Sequence, residues 1–580
     1  MTRFIYTLVA LTLLSCASKQ RLDVPLPTIG FELDDETSAA YAEAIDYYEQ
    51  LAQYSPLVTI SAVGATDSGY PLHEVVVSSK GHSTPQKSLA AGKAVLLINN
   101  AIHAGEPCGI DASMLLARDL ITIYKYLLDE VTVVIIPVYN IGGALQRGSY
   151  SRANQQGPRE YGFRANAKNL DLNRDFIKAD SKNAKAFYQI FHKWSPQILI
   201  DNHTSNGADY QYVMTLIPTQ KDKLHPILSK HMQEKMLPEL YQKMEGRDYE
   251  MTPYVYSMKA TPDQGIAGFL DYGRYSSGYA ALHHTIGLMP ETHMLKPYKD
   301  RVWSTYHFGI SMVQHAADHA ASLILNQQRA RRESANQQEW PILWTLDRDR
   351  VDTILFRGYT AGYKESVVTG EPRLYYDQQQ PYAKNIAHYN TYVPSLTVSS
   401  PVAYVVPQAY SDIVDLLRAN GVQVEQLSAD KTMEVETYRI IDYTSSPRPY
   451  EGHYLHREVE LAAEGHTIQY RAGDYIIYTQ QPSRRYIVET LEPQAADSYF
   501  NWNYFDGILM QKEHFSPYVW EDTATKLLEE DEDLASKFAQ KKQEDEAFAS
   551  DPRQQLQYLY EHSKYYESTY NRYPVGRLRQ

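Results

Sequence analysis

The chain has 580 residues, of which 43% are hydrophobic and 22% are charged, and its formal net charge is −14. This composition is typical of a folded globular protein and argues against a chain that is disordered over most of its length. The acidic balance, without a basic stripe, argues against a nucleic-acid partner.

The first sixteen residues predict export and a lipid anchor. A positive charge precedes the apolar run Phe4–Leu14, which is the pattern of a secretory signal and is too short for a permanent membrane span. Leu13–Cys16 resembles a bacterial lipobox, which implies lipidation of Cys16, and Ala17 after it implies the outer membrane. We therefore expect a periplasmic or cell-surface protein with residues 17–36 as a tether; plain secretion is the alternative.

Between residues 37 and 335, apolar runs of β type alternate with helical patterns. The β-type runs are Val58–Val63, His73–Ser78, Ala94–Asn99, Val131–Val138, Ile198–Asp201 and His284–Met289. The helical patterns are Thr37–Tyr54, Ile110–Leu127, Lys182–Trp194, Lys223–Lys243 and Trp303–Arg332. This alternation predicts an α/β domain with a mixed central sheet and helices on both faces. Continuously apolar strands indicate burial on both sides.

Residues 340–580 predict a β-rich accessory region. Short β-type runs occupy Pro341–Gln426 and Tyr438–Pro493, with a helical insert at Tyr410–Asn420. The aromatic block Tyr499–Tyr518 is interpreted as core and interface, and a charged helical stretch ends the chain. No function is assigned to this region.

Two predicted strands end in residues that can bind a metal. His103 and Glu106 follow the strand Ala94–Asn99, and His203 follows the strand Ile198–Asp201. Ligands of open α/β sheets gather at the carboxyl ends of strands. Two imidazoles and one carboxylate, with a position left to water, form the donor set of a catalytic zinc. We predict one Zn²⁺ here; an ordinary loop histidine is the alternative for each histidine alone.

Two other features of the sequence, a second His/Glu pair and a cysteine beside the site, are not predicted to bind a metal. His231 and Glu234 repeat the three-residue spacing, but no strand precedes them, so we predict a solvated helix face. Cys108, the only cysteine besides Cys16, is predicted to be a buried filler beside the site, with no disulfide.

Two further motifs supply polar groups for chemistry. Asn169–Phe176 contains Asp171, Asn173 and Arg174, and the arginine fork matches a carboxylate bidentately. A turn with a surface ion pair is the alternative. Glu291 is predicted to end a third buried strand, where a glutamate can act as a base toward water.

In this order, the four motifs resemble those of the zinc carboxypeptidase family, the carboxypeptidase A-like peptidases or funnelins, over about residues 40–313. The resemblance implies metal ligation by His103, Glu106 and His203, and a general base and acid role for Glu291. It also implies that Asp171 supports His103 from behind. Asn173 and Arg174 would bind the terminal carboxylate of the substrate.

The resemblance further implies an arginine that polarises the scissile carbonyl. We predict Arg152, with Arg147 and Arg164 as alternatives, because the spacing to Arg174 differs from that of the family. No residue in the sequence predicts which C-terminal side chain is preferred.

A mobile tyrosine shortly before the base is also implied. We predict Tyr275, with Tyr272 and Tyr279 as alternatives.

The predicted function is zinc-dependent hydrolysis of the C-terminal peptide bond of peptides. One alternative is a cell-wall peptide amidase or an N-acyl amino-acid deacylase using the same zinc site. The other is an inactive, peptidase-like surface lipoprotein that only binds peptides or glycans. A complete set of ligands plus Glu291 argues against the second alternative, because binding alone does not need them. The oligomeric state is not predicted.

Overall fold

The computed structural model describes residues 25–579. The predicted leader, including Cys16, and the first part of the predicted tether therefore lie outside the described residues. The part of the tether that is described contains buried residues. Phe31 packs edge-on against Tyr298 and Trp303, with ring centroids 6.0 and 6.1 Å away. This contact attaches the segment to the body of the protein.

The helices alternate with the strands along the first half of the chain, and a π-helical turn at Met232–Met236 joins α7 to α8. They are α1 (Gly30–Leu33), α2 (Tyr41–Tyr54), α3 (Pro85–Ala90), α4 (Cys108–Thr122), α5 (Ile141–Leu145), α6 (Lys182–Trp194), α7 (Pro226–His231), α8 (Leu237–Glu245), α9 (Ser276–Leu282), α10 (Tyr298–Asp318), α11 (Ala320–Asn336), α12 (Ser411–Ala419), α13 (Arg484–Leu491), α14 (Pro517–Glu530), α15 (Glu532–Glu544), α16 (Glu546–Ser550) and α17 (Pro552–Glu561). Within residues 25–579, no helix combines the length and the apolar character needed to cross a bilayer.

The strands form four sheets. They are β1 (Val58–Ala65), β2 (Pro71–Val77), β3 (Ala94–Asn99), β4 (Val131–Ile136), β5 (Ile198–Asp201), β6 (His203–Ser205), β7 (Met214–Pro218), β8 (Met251–Pro253), β9 (Tyr256–Ser257), β10 (Ile266–Ala267), β11 (Ile286–His293), β12 (Glu339–Leu346), β13 (Asp352–Glu365), β14 (Pro372–Tyr389), β15 (Tyr392–Ser399), β16 (Ala403–Val406), β17 (Glu425–Gln426), β18 (Lys431–Ser445), β19 (His456–Tyr470), β20 (Tyr475–Tyr478) and β21 (Gly576–Leu578).

The largest sheet has nine strands in the order β1-β2-β4-β3-β5-β11-β7-β8, with β6 paired to β11. Its central strands β4, β3, β5 and β11 are parallel, and antiparallel pairs flank them. The prediction of a mixed central sheet is confirmed. The predicted bounds of β3, β5 and α6 are identical to the observed ones, because their apolar residues recur without interruption.

Both faces of this sheet are buried. On β3, Leu96 and Ile98 belong to one core with residues of α2, α4 and α10. The alternate residues Val95 and Leu97 belong to a second core with residues of α6 and α9. Alternation of side chains across a strand explains why the whole β3 sequence is apolar.

The C-terminal region contributes to the second core. Its six-stranded sheet has the order β17-β20-β16-β21-β18-β19. Ile413 and Leu417 of α12 and Ile487 of α13 are buried in the same cluster as Phe187 of α6. Part of the C-terminal region therefore helps to cover one face of the nine-stranded sheet.

Two expectations about the C-terminal region are wrong. Arg484–Leu491, inside the segment predicted to hold β-type runs, is helix α13, and Arg485 pairs with Glu489 four residues later at 2.7 Å. The predicted short strands include the long antiparallel pairs β13–β14 and β18–β19. Most side chains of β14 and β19 are exposed or half-exposed, so polar residues interrupt the apolar signal along each strand.

The interpretation of His231 and Glu234 is also only partly correct. Glu234 is exposed, as predicted, but His231 is buried and its Nε2 lies 3.1 Å from Nε2 of His315 on α10. The π-helical turn begins directly after His231 and changes which residues face inward. A regular helical period cannot indicate that change.

Candidate active site

The carboxyl ends of three neighbouring strands position the predicted metal ligands and base. His103 and Glu106 lie in a turn after β3, closed by a hydrogen bond from Glu106 N to His103 O of 2.9 Å. His203 begins β6 and pairs in register with Glu291 on β11. The prediction that Glu291 ends its strand is wrong. β11 continues to His293, because β6 and β7 extend the hydrogen-bonded ladder on both sides of it.

Three ligand atoms converge in this region. His103 Nδ1 lies 3.3 Å from Glu106 Oε1, and His203 Nδ1 lies 3.2 Å from Glu106 Oε2. The far ring nitrogens are bound elsewhere: His103 Nε2–H donates to Asp171 and His203 Nε2–H donates to Asp201, each at 2.9 Å. In the neutral form of each ring, Nδ1 is then the unprotonated nitrogen. Both Nδ1 atoms face the same carboxylate, and His103 Nδ1 is buried without a hydrogen-bond partner. This arrangement fits a divalent cation held by two imidazoles and one carboxylate.

Asp171 and Asp201 play equivalent parts behind the two histidines. Asp171 was predicted, whereas Asp201 was given no role. Burial would raise the pKa of Asp171, but the His103 ring and the Arg164 guanidinium outweigh burial and hold that pKa well below its usual range. The signal for Asp201 is its position two residues before His203, since residues two apart in extended chain face the same side.

Arg152 lies against the predicted metal ligands. Its guanidinium donates to Glu106 Oε1 at 2.6 Å and to the Thr204 carbonyl at 2.8 Å. Gly105 makes this approach possible, since a Cβ at that position would lie 2.8 Å from Arg152 Cδ. Burial would raise the pKa of Glu106, but the charge of Arg152 and the His103 ring hold it well below its usual range.

The two alternatives to Arg152 have different positions. Arg164 lines the same cavity, is 45% exposed, and donates to Asp171 Oδ2 at 2.8 Å. Arg147 lies outside the cavity, where it binds the backbone carbonyl of Ser38. The structure therefore leaves Arg152 and Arg164 near the predicted ligands and places Arg147 elsewhere.

Glu291 faces the cavity beside His203. Burial raises the pKa of the Glu291 carboxyl to about 7; the His203 ring opposes this rise and the negative charge of Glu106 adds to it. A carboxylate with a pKa near neutrality can accept a proton and give it back within one reaction cycle.

The Asn173 and Arg174 side chains lie in the same cavity as Glu291. Asn173 Oδ1 accepts a hydrogen bond from Ser276 N at 3.1 Å. The Arg174 guanidinium carbon lies 4.5 Å from the ring centroid of Tyr275, a cation–π contact. This contact brings Tyr275 to the cavity.

The alternatives to Tyr275 lie away from the cavity lining. Tyr272 faces the Lys223 ammonium at 4.9 Å, and Tyr279 is fully buried with its hydroxyl donating to Asn420. All predicted residues except Asp171, which lies behind His103, therefore line one cavity of about 300 Å³.

Part of this cavity is apolar, which the sequence did not indicate. Ile217, Tyr254, Phe269 and Met289 line it. The first three of these also line an adjoining pocket of about 400 Å³, named here the side pocket. Its other walls come from distant parts of the chain: Leu216, Met232, Leu237, Tyr241, Pro253 and Ile354. No local motif joins these residues.

Another contact missed by sequence reasoning comes from the C-terminal region. Glu451 Oε2 accepts a hydrogen bond from the backbone N of Asp171 at 2.7 Å. Arg274, the residue before Tyr275, donates from Nε to Asp497 Oδ1 at 2.8 Å. The C-terminal region therefore supports the loops that carry Asp171 and Tyr275.

Comparison with known proteins agrees with this geometry. A model of the zinc carboxypeptidase family matches residues 44–262. The chain carries a zinc carboxypeptidase domain. Residues 44–262 are therefore assigned to a metallocarboxypeptidase domain, as the resemblance of the motifs implied. The matched range contains His103, Glu106 and His203 and ends before Tyr275 and Glu291.

Similarity to individual proteins extends beyond the matched range. Carboxypeptidase 2 of Trichophyton rubrum is 23% identical over 425 residues, which are 69% of this chain and 72% of that protein. Carboxypeptidase 2 of Trichophyton tonsurans is 23% identical over 455 residues, which are 73% of this chain and 78% of that protein. A solved metallo-carboxypeptidase from Burkholderia cenocepacia has a TM-score of 0.37 at 15% identity, covering 48% of this chain and 69% of that chain.

Proposed function

We propose that the protein is a zinc-dependent carboxypeptidase that hydrolyses the last peptide bond of peptides with a free C-terminus. One observation carries the proposal: a single cavity contains the converging donor set of His103, Glu106 and His203, the base Glu291, and Arg174. The first four account for hydrolysis. Arg174 accounts for the choice of the terminal bond.

The proposed metal is one Zn²⁺ held by His103, Glu106 and His203. When bound, zinc acts as a Lewis acid on a carbonyl and makes a bound water more acidic. Asp171 and Asp201 keep the protons of the two imidazoles on Nε2 and thus keep Nδ1 free.

The remaining steps are assigned to side chains of the protein. Glu291 removes a proton from the attacking water and transfers it to the leaving amine, so one carboxylate acts first as base and then as acid. Arg152 stabilises the negative charge that develops on the scissile carbonyl oxygen, with Arg164 as the alternative. Tyr275 supports the substrate and, by its ring, the guanidinium of Arg174.

Recognition of the terminal carboxylate is assigned to Arg174 and Asn173. Arg174 is 22% exposed and uses Nη1 to bind its neighbour's backbone carbonyl at 2.8 Å. Its other guanidinium N–H groups remain for a carboxylate, which arginine binds in a planar, forked geometry.

The side pocket points to apolar C-terminal residues as preferred substrates. Its walls are mainly aliphatic and aromatic, and it opens from the cavity through the shared residues Ile217, Tyr254 and Phe269. Each methylene group buried there contributes about 0.8 kcal/mol. A basic side chain would lose its hydration without gaining an opposite charge, because the charged residue that lines this pocket is Lys221.

Three matched substrates test this function. A peptide with a free C-terminal Leu, its C-amidated twin and a muropeptide are each incubated with zinc-loaded protein and with chelator, and the products are identified by mass spectrometry. We expect zinc-dependent loss of the terminal Leu from the free peptide alone. Equal cleavage of the amidated twin, or cleavage of the muropeptide alone, would support an amidase instead.

Arg174→Gln tests the recognition of the terminal carboxylate. Losing one partner of a charged, partly buried pair costs about 2–5 kcal/mol, so kcat/KM for the free peptide is expected to fall about 30-fold or more. Residual activity on the amidated twin is expected to be unchanged. An equal fall for both peptides would assign Arg174 a structural role only.

The proposed location is the bacterial outer membrane, with a lipid on Cys16. The support is the Leu13–Cys16 motif followed by Ala17. In a bacterial host fed labelled palmitate, we expect label and membrane association for the natural chain and loss of both for Cys16→Ser. An unlabelled natural chain in the soluble fraction would mean plain secretion.

A further inference from the structure

A second group of metal-binding side chains lies outside the active site, between two helices on one face of the nine-stranded sheet. It consists of His231, Glu239, His315 and His319 and is named here the histidine cluster. His315 lies in the last turn of α10 and His319 directly follows that helix. They are four residues apart, and both side chains face Glu239. Glu239 lies in α8.

The π-helical turn Met232–Met236 explains how His231 and Glu239 reach the same place. Glu239 follows His231 by eight positions, which in a regular α-helix is about two-tenths of a turn more than two full turns. In such a helix the two side chains would point in different directions. A π-helical turn takes up one extra residue, so Glu239 occupies the angular position of a seventh residue. Both side chains therefore face α10.

The donor atoms of the histidine cluster lie close together. Glu239 Oε2 is 2.7 Å from His315 Nδ1, and Glu239 Oε1 is 3.0 Å from His319 Nε2. One ligand atom from each of these three residues lies within 4.8 Å of the other two. In a tetrahedral site with bonds of about 2.1 Å, ligand atoms are about 3.4 Å apart, so small side-chain shifts suffice.

His231 completes this arrangement from behind. Its Nε2 lies 3.1 Å from the other ring nitrogen of His315, and it is buried. A histidine that binds a metal through one nitrogen usually donates the other N–H to an acceptor. His231 Nε2 is placed to accept that proton, which leaves His315 Nδ1 free as a ligand.

Access from solvent is available at one side. The Glu239 and His319 side chains are 34% and 21% exposed, whereas His315 is 1% exposed. An ion can therefore enter from the surface and be held by a buried ligand. The donor set, two imidazoles and one carboxylate, suits Zn²⁺ and similar transition-metal ions and does not suit Mg²⁺ or Ca²⁺.

We propose that the histidine cluster is a second metal site, in which His315 Nδ1, His319 Nε2 and Glu239 bind one zinc-type ion and His231 orients His315. The ion joins α8 to α10. It thereby fixes the π-helical turn, whose first residue, Met232, lines the side pocket together with Leu237, the residue directly after the turn. The site is independent of the proposed peptidase activity.

Zinc stoichiometry tests the proposal directly. Untagged protein is stripped with chelator, dialysed against micromolar zinc and analysed for zinc per chain. We expect two ions for the natural chain and one for Glu239→Gln or His319→Gln. His203→Gln is expected to lose the active-site ion and to keep one ion in the histidine cluster. Glu234→Gln, an exposed substitution on the same helical segment, is the matched control and should keep two.

Thermal unfolding of the stripped protein adds a second readout. Zinc should raise the midpoint of His203→Gln through the histidine cluster, and this rise should disappear when Glu239→Gln is added. His231→Gln should weaken zinc binding at the cluster about 10- to 100-fold, as loss of a supporting hydrogen bond does at other sites. A natural chain that binds one ion, or cluster variants that still bind two, would overturn the proposal.

Discussion

At the scale of single residues, the candidate active site depends on two histidine–carboxylate pairs that direct both Nδ1 atoms to one carboxylate. His103, Glu106 and His203 could be predicted from sequence, because each follows an uninterrupted apolar strand. Asp201 could not, because its role depends on the direction of one ring. Arg152 and Arg164 could not be separated, since both reach the cavity from an irregular loop without periodicity.

Glu291→Gln should abolish turnover and leave metal binding intact. The amide keeps the shape of the side chain but cannot accept the proton of the attacking water, so kcat should fall about 10²- to 10⁴-fold. Zinc content and peptide kinetics are measured on the same preparation.

The matched comparison for that variant is Glu106→Gln, which should lose both zinc and activity. A Glu291→Gln protein with near-natural turnover would show that another group acts as the base. Loss of zinc from Glu291→Gln would place this residue among the ligands instead.

At the scale of elements, α4 is tied to its neighbours by a buried carboxyl. Asp111 in the first turn of α4 accepts hydrogen bonds from Ala39 N before α2, at 3.1 Å, and from the hydroxyl of Tyr298 at the start of α10, at 2.5 Å. Burial raises the pKa of Asp111 from 3.8 to about 7, although both hydrogen bonds oppose the rise.

This pKa predicts a pH-dependent stability. The folded state holds the Asp111 proton more tightly than the unfolded chain does, so its contribution is complete below about pH 4 and is lost as pH rises to about 7. At about 1.4 kcal/mol per pKa unit, the loss is up to about 4 kcal/mol. Asp111→Asn cannot ionise and should flatten the decline in unfolding free energy between about pH 4 and pH 7, measured with urea.

The exposed Asp46→Asn of α2 is the control for Asp111→Asn and should leave the pH profile unchanged. An identical slope for natural protein and Asp111→Asn would mean that Asp111 is ionised throughout this range.

Helices and strands with a regular apolar pattern could be predicted from the sequence. Those whose conformation or burial depends on packing against other elements could not. β3, β5 and α6 had the predicted bounds. The π-helical turn Met232–Met236 depends on packing against α10 as well as on local sequence. A hydrophobic pattern that repeats every two or every 3.6 residues does not indicate such a turn. Helix α13 is buried along its whole length although it contains Arg484, Arg485 and Glu489, so its polar residues do not mark a solvent-exposed face.

At the scale of the whole molecule, the C-terminal region and the catalytic sheet share a core. Helix α12 and the Tyr486 ring of α13 pack against the α6 and α9 side of the sheet, and His283 lies 5.1 Å from the Tyr486 ring centre. The sequence indicated that residues 340–580 were β-rich, but long-range packing of this kind leaves no local pattern. The region therefore contributes to the fold of the zinc carboxypeptidase domain.

Removal of residues 401–580 should prevent stable folding of the remainder. Each large apolar side chain returned to water costs about 1.5–3 kcal/mol, and a whole domain is stable by only about 5–15 kcal/mol. Exposure of a few such residues in the second core is sufficient to unfold it. Soluble yield and the thermal midpoint are the measurements.

A second deletion in the same region provides the control. Helices α14–α17 form a separate small cluster around Trp520 and Leu559. Their ends meet, since Glu567 accepts hydrogen bonds from the backbone of Lys512 at 2.8 Å. Replacing residues 514–566 with a short Gly/Ser linker should preserve folding and peptidase activity. Equal damage from both deletions would contradict the distinction between the two cores.

The register that pairs Glu291 with His203 has a mechanical consequence. Adjacent backbones fix the relative positions of these two side chains. The proposed proton acceptor and the proposed metal ligand therefore keep a constant separation, which a substrate must fit. A shift of β11 by one residue would turn Glu291 to the opposite face of the sheet. Adaptation to different peptides must therefore occur in the loops that carry Arg174 and Tyr275, while the hydrolytic centre keeps constant dimensions.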